Sequence, residues 1–113
     1  MKHRPVYIYE IRNTATDERY IGATLNFNSR KAHHRTKLYR NTHQPALQAS
    51  WNIHGQWKFE FAVLETTTFD KAKAREQFYI DKYRTRESGY GFNTANASGR
   101  RRPEYSTPAH GAA

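Results

Sequence analysis

Cysteine is absent from the 113-residue chain, which excludes disulfides and cysteine-based zinc sites and fits a reducing compartment such as the cytoplasm. Long apolar runs are also missing. Hydrophobic residues make up 36% of the chain and the mean hydropathy is −1.05, so we expect no membrane-spanning segment. The first residues lack the apolar region of a secretory signal. A chain of this length is predicted to form one domain around one core.

Acidic residues are missing from a long central stretch. Residues 19–59 contain seven Lys or Arg, four His and no carboxylate, and the formal net charge of the whole chain is +9. Such a block projects a positive field whose commonest partner is phosphate, so the pattern favours nucleic-acid binding. The alternative is a solvated basic face that serves only solubility. A membrane-surface helix is disfavoured, because residues 30–40 have no broad apolar face.

Three segments have the composition and alternation of β-strands: 6–11, 19–23 and 57–64. Turn-forming residues at 13–17 separate the first two, which predicts a hairpin. In the third segment, large apolar residues occupy every second position from Trp57 onward. Alternation of this kind is typical of strands with one buried face.

Three helices are predicted around these strands from cap residues and apolar stripes. The first runs to about Arg40 and begins at one of three candidate caps, Asn26, Asn28 or Ser29. The second runs from Pro45 to Gly55, and the third runs from a pattern like a capping box at Thr67–Asp70 to about Tyr83. The order is therefore β-β-α-α-β-α, which predicts an α/β chain of the α+β type, with a small sheet covered by helices. Residues 1–97 form the expected domain, and residues 98–113 are expected to be a flexible basic tail or the start of a linker.

Glu76 is the most informative single residue. The third helix places it on one stripe with Ala72, Tyr79, Ile80 and Tyr83, so its carboxylate faces the packed side. An unpaired buried carboxylate is costly, so it needs a partner. Two alternatives stay open: a salt bridge to Lys or Arg, and a hard cation such as Mg²⁺ held together with waters and a substrate phosphate.

Further candidates lie on the hairpin and the first helix. Arg30 and His34 are one helical turn apart and are either members of a basic helix or a phosphate clamp beside a proton carrier. Tyr9 and Tyr20 fall on neighbouring strands, where a cross-strand packing pair is the default interpretation. A phenol titrates at about pH 10, so a tyrosine acts as a base only where nearby cations stabilise its phenolate. The histidine spacing carries no zinc signature, and no glycine-rich phosphate loop is present.

Five separated motifs in this order resemble those of the GIY-YIG nuclease domain. The matches are Tyr7-Ile8-Tyr9, Tyr20-Ile21-Gly22, Arg30 with the helical His34, Glu76, and Asn93. The segment 43–64 is similar to the stretch that links Arg and Glu in phage homing endonucleases of this family. The resemblance covers about residues 5–97, and its one departure is Tyr7, where the family motif has Gly.

The resemblance implies a three-stranded antiparallel sheet flanked by helices, and a metal-dependent endonuclease in a bacterial or phage-infected cell. Such an enzyme hydrolyses DNA phosphodiester bonds to 5′-phosphate and 3′-hydroxyl ends. We expect one Mg²⁺ or Mn²⁺ at Glu76, and no small-molecule cofactor or membrane partner. Family members commonly use a separate DNA-binding region, and the arginines at 100–102 could begin the linker to one.

The same resemblance assigns expected roles. Arg30 would contact a non-bridging phosphate oxygen, and Asn93 would tie the C-terminal loop to the site. Tyr9 would take a proton from water, directly or relayed through His34, and Tyr20 would orient the water or phosphate; the two tyrosines could exchange these roles. The residues expected to contact the nucleic acid are Lys31, Arg35, Lys37, Arg40 and His43.

Two rival functions remain at this stage. A binding module of the same fold that has lost catalysis would keep the basic helix without cutting DNA. An unrelated small basic protein that binds RNA or ribosomes would need no carboxylate on the packed face of a helix, whereas this chain has Glu76 there.

Overall fold

The structure, a computed structural model, describes residues 4–97. Its elements are β1 (Pro5–Asn13), β2 (Arg19–Thr24), α1 (Phe27–Tyr39), α2 (Pro45–His54), a 3₁₀ turn (Gln56–Lys58), β3 (Phe59–Thr68) and α3 (Ala72–Tyr83). The strands form one antiparallel sheet in the order β2-β1-β3. This confirms the predicted fold class and the predicted order of elements.

The central strand β1 divides the core into two layers because its side chains alternate between the faces of the sheet. Val6 and Ile8 point to one face and pack with Ala72 and Ile80 of α3. Tyr9 and Ile11 of β1 point to the other face and pack against α1 and α2. The buried members of that layer are Tyr9, Ile11, Leu38, Leu47, Trp51, Phe59 and Phe92. The sheet therefore lies between α3 on one side and α1 with α2 on the other.

A β-bulge interrupts the pairing of β1 with β3. Ile8 pairs with Glu65, but Tyr9 pairs with Val63, so Leu64 is an extra residue on β3. The extra residue shifts the alternation of β3 at that point. Val63 pairs with Tyr9, still in phase with Phe59 and Phe61, and is 40% exposed, so the shift changes the phase only from Leu64 onward.

The predicted helix limits are confirmed where local chemistry sets them. Asn26 caps α1 by accepting a hydrogen bond from the Ser29 amide at 3.0 Å. Pro45 occupies the first turn of α2, and Gly55 ends it with a φ of 87°, a left-handed value that favours glycine. No helix within residues 4–97 has the length and apolar character needed to cross a membrane.

Two local predictions are wrong. The pattern at Thr67–Asp70 is not a capping box, because β3 continues through Thr68 and the N-cap of α3 is Lys71, which makes no side-chain cap bond. Trp57 does not begin the third strand, because it lies in the 3₁₀ turn after Gly55 and is 87% exposed. The predicted tail at 98–113 lies outside the described residues.

Candidate active site

The Tyr9 side chain crosses from the central strand over the edge strand β2. Its backbone partner on β2 is Gly22, and Tyr9 itself is only 2% exposed. A Cβ atom on Gly22 would overlap the hydroxyl, Cζ and Cε1 of the Tyr9 ring. Gly22 has no left-handed φ, so glycine is needed here for close approach and not for its backbone freedom.

His34 meets the Tyr9 hydroxyl from α1, the helix that packs on this face of the sheet. It lies on the inward stripe of α1, is 4% exposed, and its Nε2 is 2.8 Å from Tyr9 Oη. The Tyr20 ring lies against both groups, with ring centroids 6.4 Å from Tyr9 and 5.5 Å from His34. Two tyrosines from neighbouring strands and one helical histidine thus form a single aromatic cluster.

His43 extends this cluster from the loop between α1 and α2. Its ring is tilted by only 19° from that of His34, with centroids 5.0 Å apart, and its Nε2 is 2.8 Å from His34 Nδ1, so the two rings meet edge to edge through this contact. On its far side, His43 Nδ1 accepts a hydrogen bond from the Gln44 amide at 2.8 Å. The His43 amide donates to Gln48 Oε1 at 3.0 Å, which fixes the loop backbone to α2.

Both histidines are neutral near pH 7. Burial, followed by the neighbouring charges of His43, Arg30, His33 and Lys37, lowers the pKa of His34 to about 3. Burial, followed by Lys37 and His33, lowers the pKa of His43 to about 4. Neutral imidazoles have one donor and one acceptor nitrogen each, which suits a hydrogen-bonded pair.

An open pocket of about 260 Å³ exposes part of this cluster to solvent. Its lining contains cationic and neutral donors and no carboxylate, and consists of Tyr20, Arg30, His33, His34, Lys37, His43, Gln44 and Thr94. A concave surface with two permanent cations and several hydrogen-bond donors suits a phosphate group.

The basic residues of α1 flank its buried stripe on both sides. Arg30 and Lys37 face the pocket on one flank. Lys31 and Arg35 lie on the other flank, over the Phe61 ring of β3, at 5.8 and 6.0 Å from its centroid. Arg40 follows the helix as its exposed C-cap. The predicted phosphate contacts are therefore distributed over two surfaces of one helix.

Asn93 connects the C-terminal loop to β2. Its Nδ2 donates to the Ile21 carbonyl at 2.9 Å, and its Oδ1 accepts from the Ile21 amide at 2.8 Å. The adjacent Phe92 amide donates to the Arg19 carbonyl, and Gln44 Nε2 donates to the Phe92 carbonyl. These bonds hold the loop beside Tyr20, at the edge of the pocket.

Glu76 belongs to α3, the helix whose Ala72 and Ile80 pack against the Val6 and Ile8 face of the sheet. It is half-buried and shares a stripe with the buried Ala72 and Ile80, as the periodicity predicts. The neighbouring Arg75 forms a two-fold hydrogen bond with Glu65, at 2.8 Å from Nε and from Nη2. Within residues 4–97, no three His, Cys, Asp or Glu side chains converge in an arrangement that could hold a metal ion.

Three residues that the sequence patterns did not single out support the site. Gln44 lines the pocket and also caps α2 through Oε1, a role that its position before Pro45 could have indicated. Thr94 lines the pocket next to Asn93. Gln48 is 7% exposed and orients His43, and no local signal marks it, because its contacts are between separate elements.

The chain has relatives among known proteins. Residues 5–90 match the family model of the GIY-YIG catalytic domain. One relative is intron-associated endonuclease 1 of Enterobacteria phage T4, 34% identical over 94 residues, which are 80% of this chain. The chain spans only about 37% of the length of that relative.

Two solved structures share the fold. A mutant catalytic domain of intron endonuclease I-TevI matches with a TM-score of 0.73 and 31% identity, covering 83% of this chain and 97% of that one. The catalytic domain of homing endonuclease I-TevI matches with a TM-score of 0.70 and 31% identity, covering 78% and 98% respectively. The chain therefore belongs to the GIY-YIG family, and its residues 5–90 are an endonuclease domain of that family.

Proposed function

We propose that the chain is a metal-dependent DNA endonuclease that hydrolyses phosphodiester bonds to 5′-phosphate and 3′-hydroxyl ends. The observation that carries this proposal is the cluster in which Tyr9 bonds to His34 while Tyr20, Arg30 and Lys37 surround the same pocket. Hydrolysis of a phosphodiester needs an oriented water, charge relief on the phosphoryl oxygens and a group that takes a proton. The cluster contains side chains suited to each task.

The donor set fits a hard divalent ion held by few protein ligands. Nucleases of this family are generally metal-dependent. Glu76 offers one half-buried carboxylate, and Mg²⁺ or Mn²⁺ is often bound by one or two carboxylates, waters and substrate phosphate. Such an ion, when bound, would neutralise charge on the phosphate and the leaving oxygen. Glu76 is the residue that we propose as its ligand.

The remaining chemistry is assigned to side chains of the cluster. Arg30 binds a non-bridging oxygen, because a guanidinium stays protonated and presents paired donors. Tyr9 takes the proton from the attacking water on Oη, and Tyr20 orients that water from the pocket wall. Asn93 keeps the C-terminal loop against β2 and so preserves the shape of the pocket beside Tyr20.

The DNA backbone follows the basic helix in this proposal. Lys37 contacts a phosphate next to the reacting one, since it lines the same pocket. Lys31, Arg35 and Arg40 contact the backbone outside the pocket, and none of these cations reads bases. His43 shapes the phosphate site through its contact with His34.

A separate DNA-binding region is part of the same proposal. The phage relative is much longer than the matched segment, so a targeting region can lie outside it. Because that relative comes from a phage, we place the activity in a phage-infected bacterial cell. A domain with few base contacts gains site preference only by such an addition.

The second candidate function is a catalytically silent DNA-binding module. The pocket cations favour phosphate binding whether or not the bond is cut. The module would bind DNA with the same salt dependence and show no cleavage at any Mg²⁺ concentration. Cleavage assays therefore separate the two functions directly.

Plasmid cleavage with and without Mg²⁺ tests the proposal. Tyr9→Phe removes only a hydroxyl and is expected to lower the cleavage rate by a factor on the order of 100 or more, the usual size of a general-base contribution. The matched control is Tyr7→Phe, which removes the same atom from a half-buried tyrosine two residues earlier on β1. Equal rates for Tyr9→Phe and Tyr7→Phe would contradict the role of Tyr9.

Glu76→Gln tests the metal ligand separately. It keeps the size of the side chain and removes its charge, so cleavage is expected to be lost while DNA affinity measured by anisotropy is retained. Asp81→Asn makes the same change at an exposed acid of α3 and is the control. Full Mg²⁺-dependent cleavage by Glu76→Gln would exclude Glu76 as the ligand.

A further inference from the structure

A backbone amide sets the direction of the hydrogen bonds that reach Tyr9. The Gln44 N–H lies 2.8 Å from His43 Nδ1. A backbone N–H only donates, so His43 Nδ1 is an acceptor and carries no proton. The single proton of the neutral His43 ring is therefore on Nε2.

The next two bonds follow from this one. His43 Nε2–H faces His34 Nδ1 at 2.8 Å, so His43 donates and His34 accepts. The proton of the neutral His34 ring is then on Nε2, which lies 2.8 Å from Tyr9 Oη. At the end of the series, His34 donates to Tyr9 and the Tyr9 oxygen accepts.

We propose that the Gln44 amide is a positioning group that makes His34 a hydrogen-bond donor to Tyr9, so that His34 stabilises the Tyr9 phenolate and never receives its proton. This rests on the proposed function, in which Tyr9 acts as the base. Tyr9 Oη first loses its proton to solvent. The phenolate then takes a proton as a water O–H bond breaks, and Tyr9 returns that proton to solvent after the reaction. The hydroxide oxygen bonds to phosphorus, and the P–O3′ bond breaks with its electron pair on the leaving oxygen, which is then protonated from solvent.

The opposite direction is disfavoured by the same contacts. For His34 to accept from Tyr9, its proton would have to be on Nδ1, and the His43 proton would have to move to its own Nδ1. That N–H would then face the Gln44 N–H, leaving two part-buried donors opposed and no acceptor between them.

A buried glutamine holds this geometry in place. Gln48 is 7% exposed, accepts from the His43 amide through Oε1, and donates through Nε2 to the Leu38 carbonyl at 3.0 Å. The His43 backbone is thereby tied to both α1 and α2. Its ring stays where Nδ1 meets the Gln44 amide and Nε2 meets His34.

Proline substitution removes the decisive donor selectively. Gln44 has a φ of −60° and a ψ of 147°, values that proline adopts and that also suit a residue before Pro45. Gln44→Pro loses the N–H together with the side chain. Gln44→Ala loses the same side-chain contacts and keeps the N–H, so the difference between the two variants isolates the amide.

Imidazole ¹⁵N spectra of the full chain, without DNA, report the direction of the bonds. We expect the proton on Nε2 of both His34 and His43 in the wild type and in Gln44→Ala, and protonated Nδ1 to appear in Gln44→Pro. A wild-type His34 with its proton on Nδ1 would overturn the proposal, and this result needs no variant to fold. Wild-type spectra from a folded Gln44→Pro would overturn the role of the amide.

Cleavage rates then test what His34 does for Tyr9. A glutamine at this position can donate to the phenolate but cannot take a proton, so His34→Gln is expected to cleave faster than His34→Leu. Equal losses in both variants would contradict the donor role. If the wild type itself failed to cleave DNA, the proposed function would be wrong, while the ¹⁵N spectra would still decide the direction of the bonds.

Discussion

Gly22→Ala is the most informative perturbation of the site, because it adds one methyl group beneath the Tyr9 ring. The added Cβ would overlap three atoms at the hydroxyl end of that ring. The backbone of Gly22 tolerates alanine, since its φ is not left-handed. The whole effect is therefore expected to act through Tyr9.

The magnitude follows from the contacts of the ring. Relief of the overlap by a ring movement of about 1 Å takes Tyr9 Oη out of hydrogen-bond range of His34, which lies at 2.8 Å in the wild type. A displacement of about 1 Å of a catalytic group lowers rates by a factor on the order of 100. Overpacking of a buried site of this kind costs roughly 1–3 kcal/mol in the free energy of unfolding.

The assay combines plasmid cleavage, DNA affinity and urea unfolding on the same variant. We expect cleavage to fall about 100-fold with DNA affinity unchanged, because the basic flanks of α1 are not touched. The control is Gly22→Ala in a Tyr9→Leu background, where the distal ring atoms are gone and the stability cost of the methyl group should disappear. Wild-type cleavage by a folded Gly22→Ala protein would refute the reasoning.

Three further predictions concern salt, acid and the C-terminal loop. Lys37→Ala should lower the slope of log affinity against log salt by about 1, whereas Lys73→Ala on α3 should leave it unchanged; equal slopes would remove Lys37 from the DNA contact. The pKa of His34 is about 3 in the folded protein and about 6.5 in the unfolded chain. As the pH falls, the unfolded chain therefore protonates this histidine first, and the free energy of unfolding decreases between about pH 6.5 and pH 3. Between about pH 7.5 and about pH 4.5, His34 alone should lower the free energy of unfolding by roughly 2–3 kcal/mol. In urea unfolding at the two pH values, His34→Gln should lose less free energy of unfolding than the wild type by about this amount. Equal losses in the two proteins would refute the lowered pKa of His34. Asn93→Ala should cost about 1–3 kcal/mol in urea unfolding, since it leaves both Ile21 backbone groups without their side-chain partner, and a neutral effect would contradict the anchoring role.

The sequence predicts the fold well because its signals are local. Asn26, Pro45 and Gly55 mark the ends of helices through their own backbone and side-chain chemistry. The predictions at Trp57 and at Thr67–Asp70 fail because each pattern fits two local structures, a turn or a strand in the first case and a strand or a cap in the second. Packing with β1 decides between them, and this information is not local.

The site is only partly predictable for the same reason. Tyr9, Tyr20, Arg30 and His34 are expected site residues because of the resemblance to the GIY-YIG motifs. The pairing of His34 with His43, by contrast, depends on a loop whose shape Gln48 determines from another helix. The direction of the hydrogen bonds is set by a backbone amide, which every non-proline residue has and no motif can mark.

Digestion of a mixed DNA pool, followed by sequencing of the ends, tests the central claim most directly. The account predicts Mg²⁺-dependent ends that carry 5′-phosphate and 3′-hydroxyl groups, produced by the wild type and absent with both Tyr9→Phe and Glu76→Gln. Ends that carry 3′-phosphate and 5′-hydroxyl groups, or equal numbers of ends from the wild type and the two variants, would contradict it.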